Sequence, residues 1–120
     1  MKKVLIVDDA SVVRLLIKKV LKQGDFNVVG EAVNGMDALE KYKELKPDIV
    51  TMDITMPEVD GIQATKDIIA FDANAKIVML SGIDQKEMLW QAIKAGAVSY
   101  IVKPFEKDRI LSTLNEVIIS

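Results

Sequence analysis

Val4-Leu5-Ile6-Val7-Asp8-Asp9 is a continuous apolar run that ends on two adjacent acids. A strand with one wet face alternates apolar and polar residues, so an uninterrupted run this short reads as a strand buried on both faces. Apolar pairs at Val12/Val13, Leu16/Ile17 and Val20/Leu21 follow at helical spacing, with Gly24 placed to end the helix. The same unit recurs along the chain. Val28-Val29 leads to Ala38, Leu39, Tyr42 and Leu45 before Pro47, and Ile49-Val50-Thr51-Met52 leads to Ile62, Thr65 and Ile68/Ile69. Ile77-Val78-Met79-Leu80 leads to Met88, Leu89, Ala92 and Ile93, a helix that Asp84 and Glu87 open in the pattern of a capping box. Tyr100-Ile101-Val102 leads to Ile110, Leu111, Leu114 and Val117/Ile118. Five strand–helix units joined by short loops predict an α/β, doubly wound, five-stranded parallel sheet with helices on both faces. The alternation does not order the strands. It does direct polar ligands to the carboxyl ends of strands, where the winding reverses.

The 120 residues fit one domain, residues 1–120, without repeat or linker. Sixteen basic against eighteen acidic residues, net charge −2, argue against direct nucleic-acid binding. With no Cys and no His, thiolate and imidazole chemistry are excluded, and carboxylates, hydroxyls and amines remain. No apolar run approaches the roughly 18 residues of a membrane span, and the start lacks a signal-peptide pattern, so a cytoplasmic location is expected.

Asp8 and Asp9 follow the first strand and Asp53 ends the third. If those strands are neighbours, three carboxylates meet at one sheet edge and raise one another's pKa unless a cation neutralises them. Oxygen-only ligands select a hard cation, Mg2+ first, with Mn2+ able to substitute. Asp9, beside a helix beginning near Ser11, could equally serve as an N-cap. Asp53 lies between Met52 and Ile54 inside an apolar run, where an unpaired charge is costly. Ser81 closes the fourth strand and Lys103 the fifth, just before Pro104. A hydroxyl and an ammonium at that edge suit an anionic group carried on an Asp side chain.

The motifs Val7-Asp8-Asp9, Met52-Asp53-Ile54-Thr55-Met56-Pro57 with Gly61, Ser81-Gly82, Ala95-Gly96-Ala97 and Val102-Lys103-Pro104-Phe105 span nearly the whole chain. In these the chain resembles the receiver domains of two-component signalling, most of all the stand-alone chemotaxis regulators. The resemblance implies strand order 2-1-3-4-5 in a flavodoxin-like receiver fold and a cis Lys103–Pro104 peptide. It implies Asp53 as phosphoacceptor, Asp8, Asp9 and Asp53 with the Thr55 carbonyl as metal ligands, and Lys103 as partner of the phosphoryl group. Ser81 and Tyr100 are implied as the switch pair. It further implies a histidine kinase as donor, a protein target such as a flagellar-motor switch component, and a monomer that is not a turnover enzyme. Family members often carry an acid or amide two residues after the phosphoacceptor; here Thr55 stands there, and Ile83 stands two after Ser81, so fast self-dephosphorylation is not carried over.

Lys86, Leu89 and Ile93 share a helical stripe beside Trp90, the only tryptophan, and with Tyr100 they form a candidate partner face. The competing reading packs Leu89 and Ile93 inward and Trp90 beneath lysine stems. Three other functions are open. An excised receiver, phosphorelay or phosphate sink would share the site. A haloacid-dehalogenase-type phosphatase would need a spaced acid pair and usually a cap. A flavodoxin-like cofactor binder would need glycine where Asp8 and Asp9 stand.

Overall fold

The structure, a computed structural model, describes residues 1–119. Five units run in order: β1 (Lys2–Val7), α1 (Ser11–Lys22), β2 (Phe26–Ala32), α2 (Gly35–Leu45), β3 (Ile49–Asp53), α3 (Gly61–Phe71), β4 (Ile77–Ser81), α4 (Lys86–Ala95), β5 (Ser99–Val102) and α5 (Lys107–Ile119). The strands form one parallel sheet in the order β2-β1-β3-β4-β5. The chain winds outward from β1 to β2, then crosses back to β3, so the reversal falls between the carboxyl ends of β1 and β3.

Side chains of the central strands alternate between two cores, which is why their sequences read as unbroken apolar runs. Leu5, Val7, Val50, Met52, Ile77 and Met79 face α2, α3 and α4. Val4, Ile6, Ile49, Val78, Leu80 and Ile101 face α1 and α5 through Ile17, Leu21, Ile110 and Leu114. The edge strand β2 is half-buried over Val28–Glu31, and Asn27, Gly30 and Glu31 break its apolar pattern.

Helix ends follow local chemistry. Asn34 and Asp60 cap α2 and α3 by accepting from the backbone N–H groups of Asp37 and Gln63, at 2.9 Å each. Lys46, left-handed at φ 46°, and then Pro47 close α2. The capping box expected at α4 is not formed. The helix begins at Lys86, its N-cap is Gln85 with no capping side-chain bond, and Asp84 stands one residue too early. The Gln85 carboxamide, one position later, is drawn away by partners in two loops.

Candidate functional site

Asp8 follows β1, Asp53 ends β3, and the sheet order makes these strands neighbours. One carboxylate oxygen from each of Asp8, Asp9 and Asp53 lies within 4.8 Å of the others. Asp8 and Asp53 are buried while Asp9 is exposed, so the cluster has a closed floor and an open mouth. Asp9 does not cap α1, whose N-cap is Ala10 without a side-chain bond.

The turn after β1 is tied down. Asp8 N–H donates to the Ala32 carbonyl at 3.0 Å, and Asp8 Oδ1 accepts from Ala10 N–H at 2.9 Å. Arg14 Nη1 donates to the Asp8 carbonyl at 2.7 Å, while its Nε pairs with Glu31 Oε1 at 2.9 Å. Lys18 pairs with the same carboxylate at 2.6 Å, and both cations hold the Glu31 carboxyl below its ordinary pKa. Sequence reading missed Arg14. The signal was a cation one helical turn past the acids, which becomes informative only once β2 places Glu31 opposite.

Among the described residues, three buried side-chain oxygens lack a hydrogen-bond partner: Asp8 Oδ2, Ser81 Oγ and Thr51 Oγ1. Asp8 is next to β3 on one side of Asp53, and Ser81 ends β4 on the other. A buried polar atom without a partner costs free energy, and orphans on both sides of one buried carboxylate mark a place for a ligand. Thr51 lies two residues before Asp53 on the same face of β3.

Burial, and then the Asp8 carboxylate beside it, push Asp53 up to about 6; Lys103 opposes the rise and Asp9 adds to it. Asp8 is raised by burial, partly offset by the Ala10 N–H and Lys103. Lys103 thus acts on both carboxylates, with its Nζ 5.7 Å from the centre of the Phe105 ring. The Lys103–Pro104 peptide is cis. An oxygen-only donor set with one unpartnered buried carboxylate oxygen and raised carboxyl pKa values fits a hard divalent cation such as Mg2+.

Gly61 fixes the loop after Asp53. Its N–H donates to the Ile54 carbonyl at 2.8 Å, and a Cβ built there would stand 2.1 Å from the Asp53 carbonyl oxygen and 2.9 Å from Ile54 Cα. Both are backbone atoms that cannot swing aside. Gly61→Ala should therefore cost about 2 kcal/mol or more in chemical denaturation. Gly82→Ala, whose Cβ first meets the Asp84 carboxylate at 3.1 Å, should cost much less; equal costs would refute this account of the loop.

Thr55 is exposed on the β3–α3 loop, its N–H directed to the Asp53 carboxylate and its Oγ1 accepting from Gln85 Nε2 at 2.7 Å. Gln85 is the second residue that sequence reading missed, because Asp84 carried the stronger capping signal. The expected partner-face residues come together: Lys86, Leu89, Trp90, Ile93 and Tyr100 line one groove of about 530 Å³ between α4 and β5. Leu89 and Ile93 also pack on the core, but Trp90 is 60% exposed and Tyr100 50%, so Trp90 is not covered by lysine stems.

Residues 4–115 match the response regulator receiver domain family. The chain is 55% identical over 116 residues to the chemotaxis protein CheY of Thermotoga maritima, covering 97% of each. It is 54% identical over 114 residues to the chemotaxis protein CheY of Bacillus subtilis, covering 95% of each. The fold superposes with a TM-score of 0.93 on a chain of the CheX-CheY-BeF3-Mg2+ complex of Borrelia burgdorferi, at 34% identity, covering 99% of this chain and 90% of that one.

Proposed function

Because the chain belongs to the response regulator receiver domain family, we propose that it is a phosphorylation-controlled switch of the chemotaxis type, with residues 1–120 acting as one receiver unit. Asp53 accepts a phosphoryl group from a histidine kinase, and the modified protein changes its affinity for a protein target such as a flagellar-motor switch component. The observation that carries this reading is the pair of unpartnered buried oxygens, Asp8 Oδ2 and Ser81 Oγ, on either side of the Asp53 carboxylate.

The transfer is a displacement at phosphorus. An Asp53 carboxylate oxygen forms the new P–O bond as the P–N bond of the phosphohistidine breaks, and the departing imidazole keeps the bonding pair. Asp53 needs no base, since a carboxyl with a pKa of about 6 is mostly ionised at pH 7. Asp8, Asp9, Asp53 and the Thr55 carbonyl would hold Mg2+, with Mn2+ as a substitute. When bound, the metal neutralises phosphoryl oxygens and lets the three carboxylates stay charged together. Lys103 supplies the second positive charge, and the Ser81 hydroxyl donates to a phosphoryl oxygen. Drawing Ser81 toward that oxygen opens space beside β4 into which the Tyr100 ring turns, altering the groove with Leu89 and Trp90.

Thr55 presents no acid or amide to orient water, its hydroxyl being engaged by Gln85, and Ile83 is apolar and 79% exposed; both favour slow loss of the phosphoryl group. Among the described residues no helix is long and apolar enough to cross a membrane. The acidic net charge supports a protein partner rather than a nucleic acid, and a cytoplasmic monomer belongs to the same proposal.

A small phosphodonor separates this reading from a phosphatase built on the same acids. With acetyl phosphate and Mg2+, intact-mass spectrometry should show one added phosphoryl group, and donor consumption should slow once one equivalent is incorporated. Sustained turnover of many equivalents at undiminished rate would support the phosphatase instead.

A further inference from the structure

Gln85 is the last residue before α4, and its side chain joins the two loops that flank Asp53. Its Oε1 accepts from Gly82 N–H at 2.6 Å, and its Nε2 donates to Thr55 Oγ1 at 2.7 Å. Gly82 directly follows Ser81, whose hydroxyl is buried without a partner. Thr55 directs its N–H to the Asp53 carboxylate. Asp53 pairs with Leu80 across the sheet, and the Ile54 N–H donates to the Leu80 carbonyl at 3.3 Å, so the N–H after Ser81 belongs to the sheet edge on which Asp53 opens. Gln85 is also built into the helix start: its N–H donates to the Gly82 carbonyl at 3.2 Å, and its carbonyl accepts from Leu89 N–H at 2.9 Å.

We infer that Gln85 is a positioning residue, a latch that holds the β4–α4 and β3–α3 loops together in the unphosphorylated protein and is displaced at Gly82 when Asp53 carries a phosphoryl group. This rests on the phosphoacceptor reading of Asp53. A dianionic phosphoryl group brings three strong acceptor oxygens to the edge where Gly82 presents its N–H, and a charged acceptor outcompetes a neutral carboxamide for one donor. Losing Oε1 from Gly82 frees the carboxamide from Thr55 as well, because one side chain makes both bonds. Through the Leu89 N–H, the release reaches the first turn of α4 and therefore the groove. The latch is a bistable contact: one partner set serves the empty site, and another serves the modified one.

The test is equilibrium binding of beryllofluoride, a phosphoryl mimic, at saturating Mg2+, followed by amide resonances in the full chain. The wild-type protein must break the latch before the mimic is fully seated. Gln85→Ala has no latch to break and should bind about fivefold tighter, the equivalent of one net hydrogen bond. Without the mimic, its Gly82 and Leu89 resonances should already lie part of the way toward the wild-type bound positions, a displacement that a merely structural role would not produce. Gln85→Glu keeps an acceptor for Gly82, cannot donate to Thr55 and adds negative charge, so it should bind more weakly than wild type. Normal wild-type binding with unchanged or weaker binding by Gln85→Ala overturns the latch and leaves Asp53 as phosphoacceptor. Failure of the wild type to bind overturns both.

Discussion

Asp53→Asn should reduce phosphoryl incorporation from acetyl phosphate to below detection, whereas the wild-type chain should take up one group per molecule. The amide keeps the size and most of the hydrogen-bonding capacity of the side chain but has no anionic oxygen to attack phosphorus. Asp8 and Asp9 lie within 4.8 Å and are also carboxylates, so the prediction is selective. Asp53 alone among the three is flanked on one side by Asp8 and on the other by Ser81, and only there would the phosphoryl oxygens meet a hydroxyl and an ammonium as well as the metal ligands. Asp9→Ala should instead keep Asp53 reactive in principle while weakening Mg2+ binding measured by calorimetry. Labelling of Asp53→Asn at the wild-type level would move the phosphoacceptor to another residue.

The second large effect is on stability, and its sign follows from the raised carboxyl pKa values. Asp53 ionises near its ordinary value of 3.8 in the unfolded chain and at about 6 in the folded one. Between those values the folded state binds more protons, so stability falls as pH rises through roughly 4 to 6, and the loss is complete above the folded value. Asp8, also raised, acts in the same direction. A shift of this size corresponds to about 3 kcal/mol at pH 7 without metal. In the presence of a chelator, Asp53→Asn should accordingly be more stable than wild type at pH 7 by an amount of this order, and the difference should shrink toward zero by pH 4. Saturating Mg2+ should all but erase the difference, because it binds the folded wild type and stabilises it by about 2.7 kcal/mol at a hundredfold excess over Kd. Urea denaturation of both proteins across pH, with and without Mg2+, measures all of this. A wild type more stable than Asp53→Asn at pH 7 in chelator would mean that the cluster is not electrostatically strained.

The fold was legible where burial on both sides of the sheet leaves no choice of residue type. Val4–Val7 and Ile77–Leu80 feed two cores, so they carry no polar interruption and could be read as central strands. Strand order was not legible from periodicity, because a parallel strand reads alike at any interior position; it came from the resemblance carried by the site motifs. Asp53 announced itself as a charge inside an apolar run, and Asp8 as the polar end of one. Ser81 was legible as a hydroxyl at the end of the fourth strand, but that it is buried and unpartnered became visible only once β4 was placed beside β3.

What stayed hidden depends on contacts between residues distant in sequence. Asp84 with Glu87 satisfies the local rule for a capping box, yet the local rule cannot see Thr55, thirty residues earlier, whose hydroxyl engages Gln85. Arg14 looked like one more exposed cation on α1 until Glu31 on β2 stood opposite it. The groove of Trp90 and Tyr100 was half legible: helical spacing put Lys86, Leu89 and Ile93 on one stripe, but their alignment with β5 is a product of the sheet.

The central claim is that modification of Asp53 is read at the α4–β5 groove. Amide resonances of the full chain, recorded as beryllofluoride is added at saturating Mg2+, test it most directly. Tyr100, Leu89 and Trp90 should shift with the same midpoint as the neighbours of Asp53, as one switch requires. Shifts confined to residues around Asp8, Asp9 and Asp53, with the groove unmoved at saturation, would contradict the claim and leave the chain as a phosphate sink or relay.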